Sequence, residues 1–216
     1  MRRAFDLSLY LVTDPRLAGE RDFFQTVEAA VAGGVSLVQL RDPDAGTRDL
    51  VAIARRLVEL LAPRGVPLIV NDRTDVALAA EAAGVHLGQS DMDGQDARRL
   101  IGPEKILGIS VGSAAEHRAS QLALGQADYI GVGPVYQTGT KADAGAAIGT
   151  AGLSALVSAI DLPAVAIGGI AAGKAAPCIA AGAEGVAVVS AIMAAPDPQA
   201  AARTLSAEII KAKEAK

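Results

Sequence analysis

Two carboxylates, Asp72 and Asp91, each close an apolar run of strand length: Val66-Pro67-Leu68-Ile69-Val70-Asn71-Asp72-Arg73 and Gly84-Val85-His86-Leu87-Gly88-Gln89-Ser90-Asp91. An Ala-rich segment of helical character separates them, so the pair reads as a strand, helix, strand unit with an acid at each strand end. If the strands are parallel neighbours, those ends lie about 5 Å apart, a gap that one divalent cation can bridge. Carboxylate oxygens are hard ligands suited to Mg²⁺, which keeps several waters and draws its remaining ligands from a phosphate. Either acid alone would serve equally well as a helix cap or turn residue. The pairing is what points to a metal.

A second constellation suits an anion. Gly168-Gly169-Ile170 and Val188-Val189-Ser190-Ala191-Ile192 each follow an apolar run. Glycines let the backbone approach an anion closely, and N–H groups at a helix start supply donors and a favourable dipole. Gln39, Arg41 and Asn71 also stand at strand ends, and the planar fork of Arg41 matches phosphate oxygens. Ser110 closes another run. The stretch Gly133 to Gly145 carries Thr138, Thr140 and Lys141 and is long for a connection, as lids over a binding site are. His86 reads as a satisfied core residue, His117 as a helix-surface one and Cys178 as a small buried apolar residue, so none is assigned acid-base or nucleophilic work. No Ser-His-Asp, Cys-His or zinc-ligand spacing is evident.

The elements that must position these residues recur as alternating strand and helix signals. Strands are predicted over residues 8–13, 37–40, 67–71, 85–87, 106–110, 129–132, 164–167 and 185–189. Helices are predicted over 23–32, 47–61, 75–83, 94–101, 114–124, 150–160, 172–181 and 199–212. Gly33-Gly34, Gly84 and Gly182 stand where a left-handed helix terminus favours glycine. Eight strands each followed by a helix, with no break in composition or Pro-rich linker, predict one α/β domain over residues 1–216, a closed (β/α)8 TIM barrel. In that architecture the site lies at the C-terminal ends of the strands, where the polar and glycine residues above collect.

Composition narrows the partners. Hydrophobic residues make up 51% of the chain, enough for a large core, but there is no Trp and only 3% aromatic content to stack bases. A net charge of −4 without a basic run argues against nucleic acid. The apolar run near the N-terminus is too short for a signal or membrane segment, so a cytoplasmic location, small-molecule partners and no membrane are expected, with homo-oligomerisation left open.

The ordered series Leu9-Tyr10-Leu11-Val12-Thr13-Asp14, Gln39-Leu40-Arg41-Asp42, Asn71-Asp72-Arg73, His86-Leu87-Gly88-Gln89-Ser90-Asp91, Gly108-Ile109-Ser110, Gly131-Val132-Gly133-Pro134-Val135-Tyr136, Thr138-Gly139-Thr140-Lys141, Gly168-Gly169-Ile170 and Val189-Ser190-Ala191-Ile192 resembles that of the thiamine-phosphate synthase family. The resemblance runs nearly the whole chain. It implies a Mg²⁺-dependent transferase on a (β/α)8 barrel that joins hydroxymethylpyrimidine diphosphate to hydroxyethylthiazole phosphate, forming thiamine phosphate and diphosphate. By it, Asp72 and Asp91 hold Mg²⁺ against the diphosphate, and Arg41, Asn71, Ser110 and Lys141 contact the same leaving group. Gln39 touches the pyrimidine, while Thr138, Thr140, Gly168, Gly169, Val189 and Ser190 belong to substrate binding, chiefly around the thiazole phosphate.

One position departs from the family pattern Gln-x-Arg-x-Lys: Pro43 stands where the Lys is expected to face the diphosphate. Mg²⁺, Arg41 and Lys141 are expected to suffice there, with Arg73 as one further candidate to help. Two other readings fit the residues. A thiazole tautomerase of the same barrel family would need no diphosphate-binding metal, and a non-catalytic barrel that binds or senses a phosphate ligand would release no diphosphate. The paired acids and Lys141 favour the synthase.

Overall fold

Strands covered on both faces read as unbroken apolar runs rather than alternating ones, and this chain is built from such strands. The computed structural model describes residues 5–139 and 145–215. Its strands are β1 (Leu9–Val12), β2 (Leu37–Leu40), β3 (Leu68–Asn71), β4 (Gly84–Leu87), β5 (Ile106–Val111), β6 (Tyr129–Val132), β7 (Ala164–Ile167) and β8 (Gly185–Val188). They pair in sequence order and in parallel, and β8 closes on β1 through Leu9 opposite Val186. The expected eight-stranded barrel is therefore present, with strand boundaries shifted by no more than one residue from those read in the sequence.

Helices α1 (Phe23–Ala32), α2 (Thr47–Leu61), α3 (Thr74–Ala79), α4 (Gly94–Ile101), α5 (Ala114–Ala119), α6 (Gln121–Leu124), α7 (Gly149–Ala159), α8 (Ala175–Ala180), α9 (Ser190–Met193) and α10 (Pro198–Glu214) surround the barrel. Asp22, Asp93, Ser113 and Asp197 cap α1, α4, α5 and α10 by accepting backbone N–H bonds in the first turn. None of these helices is long and apolar enough to cross a membrane.

Several helix boundaries differ from expectation for local reasons. Helix α3 stops at Ala79 because Glu81 takes the left-handed conformation (φ 55°) and Ala82 N–H returns to the carbonyl of Ala77. Gly84 is no terminus. It opens β4, where a Cβ would sit 2.0 Å from the Ile106 carbonyl oxygen on β5. The predicted helix over 114–124 breaks at Ser120 (φ −97°, ψ 10°), whose hydroxyl turns to Gln89. The span expected over 172–181 shortens to α8, and the four-residue α9 was not anticipated.

Two apolar layers result. An outer layer between strands and helices includes Leu9, Leu11, Val38, Leu40, Val85, Leu87, Ile109, Val111 and Ile130. An inner layer fills the barrel with Leu7, Tyr10, Val12, Leu37, Ile69, Ile106, Tyr129, Val165 and Ala187.

Candidate active site

Side chains alternate along a strand, so the residues between outer-layer positions point into the barrel. Tyr10 lies between Leu9 and Leu11, Gln39 between Val38 and Leu40, His86 between Val85 and Leu87, and Ser110 between Ile109 and Val111. These polar residues therefore share the interior, and all of them line one cavity of about 970 Å³ at the C-terminal mouth of the barrel. Asn71, Asp72, Asp91, Arg41, Thr138, Gly168, Gly169, Val189 and Ser190 line the same cavity. Of the candidate residues the structure describes, all but the candidate helper Arg73 are thus brought together. Thr140 and Lys141 lie outside the described residues.

Each is held by its own local contacts. The Thr13 hydroxyl accepts the Arg41 N–H at 3.0 Å and donates to the Arg41 carbonyl at 3.1 Å, pinning the end of β2 to that of β1. Asp14, buried beneath, lies 3.8 Å from the Arg41 guanidinium. Its carboxyl is held below the usual range chiefly by hydrogen bonds from the Arg16 side chain. Asp72 sits in the left-handed region (φ 60°), a conformation that costs most L-residues about 1 to 2 kcal/mol and that Asp tolerates better. Its N–H donates to the His86 carbonyl at 2.8 Å, tying the end of β3 to β4. Asp91 Oδ2 accepts the Gly88 N–H at 2.7 Å, so a tight turn presents this acid to the cavity.

Two carboxylates suit one cation. Among the described residues no group of three or more His, Cys, Asp or Glu side chains could hold a metal. A cation at Asp72 and Asp91 would take its other ligands from water or substrate oxygens, as Mg²⁺ does and Zn²⁺ in a structural site does not.

Across the mouth, Gly168 (φ 100°) and Gly169 (φ 63°) follow β7 in conformations that disfavour other residues. A Cβ at Gly168 would also lie 2.6 Å from Pro134 Cα, and one at Gly169 2.4 Å from the Gln137 carbonyl oxygen. The chain after β6 packs directly on this turn, with Tyr136 N–H donating to the Gly168 carbonyl at 2.9 Å. Helix α9 starts at Ser190 immediately beyond β8, completing a pocket of backbone between the ends of β7 and β8.

Sequence reasoning missed how the interior is wired. Gln39 Nε2 donates to the Tyr10 hydroxyl at 2.7 Å, the Tyr10 and Tyr129 hydroxyls are 2.9 Å apart, Tyr129 reaches His86 Nδ1 at 2.9 Å, and His86 Nε2 reaches Ser110 Oγ at 2.9 Å. His86 is satisfied at both nitrogens, as expected of a core residue, but it also faces the cavity. The signal was available in the strand alternation, which places these residues on one face. Gln89 holds the other side of Ser110, donating to its carbonyl at 2.7 Å and accepting from Ser120. Glu116 also lines the cavity, its carboxylate accepting the Gly112 N–H at 2.7 Å.

Arg73, the further candidate at this position, does not line the cavity. Its guanidinium is held outside the cavity by Asp75 and by the Thr47 hydroxyl at 2.9 Å. Pro43 is exposed and likewise absent from the cavity wall. Cys178 is buried in α8, its thiol pushed up mainly by burial and directed at the Lys174 carbonyl.

Comparison with known proteins adds to this geometry. The sequence profile of the thiamine monophosphate synthase family matches residues 9–192. A thiamine-phosphate synthase of Xanthobacter autotrophicus is 59% identical over 213 residues, covering 99% of this chain and 100% of that protein. One from Azorhizobium caulinodans is 58% identical over 205 residues, 95% of this chain and 96% of its own. A solved structure of thiamine phosphate pyrophosphorylase from Pyrococcus furiosus superposes with a TM-score of 0.86 at 37% identity, covering 95% of this chain and 96% of that one.

Proposed function

The chain belongs to the thiamine monophosphate synthase family, and from that premise we propose that it joins hydroxymethylpyrimidine diphosphate to hydroxyethylthiazole phosphate in a Mg²⁺-dependent reaction. The products are thiamine phosphate and diphosphate. The observation that supports this reading is that one cavity is lined on one side by Asp72, Asp91, Asn71, Arg41 and Ser110, groups suited to a metal-bound diphosphate, and on the other by Gly168, Gly169, Val189 and Ser190, suited to a phosphate. A tautomerase or a simple phosphate-binding barrel has use for only the second.

The bond from the pyrimidine methylene to diphosphate oxygen breaks, and its electron pair leaves with diphosphate. The ring amino group supports the resulting cation, and the thiazole nitrogen donates its lone pair to form the new C–N bond. Such a route needs a neutralised leaving group, aligned partners and exclusion of water more than a nucleophilic side chain. Mg²⁺, bound by Asp72 and Asp91, would neutralise charge on the departing diphosphate. Arg41 and Asn71 hold that group from β2 and β3, and Ser110 donates to it from β5. Lys141, next to Thr140 in the sequence, is the further cation this reading assigns to the leaving group. Gln39 orients the pyrimidine. Thr138, the Gly168-Gly169 turn and the Val189-Ser190 backbone hold the thiazole phosphate. No acid-base dyad is required, which suits an interior whose His86 is already engaged at both nitrogens.

The test is to supply both substrates with and without Mg²⁺ and follow diphosphate and thiamine phosphate. Both products should form, and only with the metal. Folded protein that makes neither would overturn the reading.

A further inference from the structure

The chain from Gln39 through Tyr10, Tyr129 and His86 to Ser110 crosses the barrel interior, and each link is 2.7 to 2.9 Å long. Its protons can be arranged in two ways that satisfy every member, because a hydroxyl donates one hydrogen and a neutral imidazole donates from one nitrogen and accepts at the other. In one direction Gln39 Nε2–H donates to Tyr10, Tyr10 to Tyr129, and Tyr129 to His86 Nδ1. His86 then carries its proton on Nε2 and donates to Ser110 Oγ, so the Ser110 hydroxyl hydrogen turns to the cavity. Gln39 is left presenting its carbonyl oxygen there. In the other direction every bond reverses: Ser110 donates to His86 and offers the cavity only lone pairs, and Gln39 presents its amide N–H.

Mixed arrangements either leave a buried hydroxyl hydrogen without an acceptor or set two lone pairs against each other with no hydrogen between them, as at the Tyr10 and Tyr129 oxygens 2.9 Å apart, and the cost of an unmade buried bond of this kind disfavours them. Burial pushes both phenols well above the usual tyrosine range, so each keeps the hydrogen the chain requires. Space for the crossing is built in. A Cβ at Gly108 would lie 2.4 Å from both His86 Nδ1 and Tyr129 Oη, and one at Gly131 would lie 3.1 Å from His86 Cε1.

The geometry points to Tyr10, Tyr129 and His86 as positioning residues that couple the two ends of the site. An anion accepting from Ser110 obliges Gln39 to show its carbonyl oxygen and so to select a pyrimidine bearing an amino group over its oxo counterpart. This rests on the synthase reading, in which Ser110 meets the diphosphate and Gln39 meets the pyrimidine. The selecting element is a run of residues that never touch the ring, and it works because the diphosphate end sets the direction.

The experiment compares dissociation constants for the amino and the oxo pyrimidine methyl diphosphates, measured by calorimetry with Mg²⁺ and without the thiazole. The diphosphate half is common to both, so the ratio isolates how the ring is read. The wild-type chain should prefer the amino compound by about tenfold or more. Tyr10→Phe frees Gln39 from its partner, and the ratio should fall toward one. Tyr129→Phe takes away the acceptor of Tyr10, whose hydrogen then turns to the Gln39 carbonyl and flips the amide. There the ratio should fall further and favour the oxo compound.

Folded Phe variants, verified by their thermal transitions, that keep the wild-type ratio within about twofold would overturn the coupling, even if both affinities drop equally. So would a wild-type protein indifferent to the two compounds. If Tyr129→Phe does not fold, the Tyr10→Phe ratio decides alone. A parallel product assay on wild type keeps the two ideas apart: product with an unmoved ratio removes only this inference, whereas no product removes the synthase reading and this inference with it.

Discussion

Tyr10 on β1 and Tyr129 on β6 bring their hydroxyls within 2.9 Å of one another in the barrel interior, with ring centroids 6.0 Å apart and edge to face. The strands are not neighbours, so only closure of the barrel makes this contact. Phe5 packs on the same Tyr129 ring at 5.8 Å, placing apolar surface behind the phenols while their hydroxyls lead toward His86 and the cavity.

Gly108 makes room for that arrangement, and adding one methyl group there should disrupt it. In Gly108→Ala the new carbon meets His86 and Tyr129 from the same side, so both rings must shift. Overpacking of this kind costs about 1 to 3 kcal/mol. A lower urea midpoint at unchanged slope is expected, and an unmoved midpoint would show that the rings yield freely.

Arg98 anchors α4 to the rim of the barrel away from the cavity. It is 10% exposed and pairs at 2.6 Å with Asp128, itself 6% exposed, and it also donates to the carbonyls of Gly102, Lys105 and Gln126. Asp128 in turn accepts the Leu107 N–H of β5. Arg98→Ala removes the cation and strands several buried acceptors, so a loss of about 3 kcal/mol or more is expected. Thermal denaturation reads it, and turnover of the protein that remains folded should stay near wild type.

Asp14 ties stability to acid. Because hydrogen bonds from Arg16 lower its carboxyl, its contribution is complete above the unfolded carboxyl value of about 3.9 and is lost as pH falls through the lower folded value. Asn keeps the acceptor for the Arg16 N–H but not the charge. Asp14→Asn should therefore be less stable than wild type near neutrality, with the gap narrowing below about pH 3.9. Denaturant titrations across that range test the sign, and a gap that stays constant would remove Asp14 from the acid limb.

The barrel itself was legible because strands buried on both faces announce themselves as apolar runs, and β2, β6 and β7 fall on the residues expected. Helix ends were harder to read. Glu81, not a glycine, takes the left-handed turn after α3, and Gly84 answers instead to the close approach of β5. At the site, strand ends located the acids, Arg41 and the Gly168-Gly169 turn, since the architecture fixes where those ends meet. Two things depended on side-chain direction and were not legible from residue type. Arg73 turns to Asp75 rather than inward, and the bonds that satisfy His86 run on through Tyr129 to Tyr10 and Gln39.

Asp72 and Asp91 carry the metal prediction. Asp72→Ala or Asp91→Ala should lower turnover by orders of magnitude, and chelation of Mg²⁺ should do the same reversibly. Asp91→Asn separates ligand from scaffold, because an amide oxygen still accepts from Gly88 while the charge is lost. It should fold like wild type yet require far more Mg²⁺ for half-maximal rate. Cys178→Ala, remote from the cavity, should leave turnover intact. Near-wild-type turnover in either Ala variant would refute the metal site.

Pro43 tests whether the diphosphate half-site lacks a cation. It stands two residues beyond Arg41, on an exposed turn where Arg73 offers no substitute because Asp75 and Thr47 hold it elsewhere. A charged hydrogen bond to phosphate contributes about 1.5 to 3 kcal/mol, roughly ten- to a hundredfold in affinity. Pro also fixes its own φ, so the replacement must adapt a turn already braced by the Asp44 N–H bond to Asp42 at 3.1 Å. Pro43→Lys should lower the Michaelis constant for the pyrimidine diphosphate and leave that for the thiazole phosphate unchanged. The same gain should shrink with added salt, as expected for a solvent-facing cation. A Michaelis constant that stays the same or rises would mean that Mg²⁺, Arg41 and Lys141 already satisfy the leaving group.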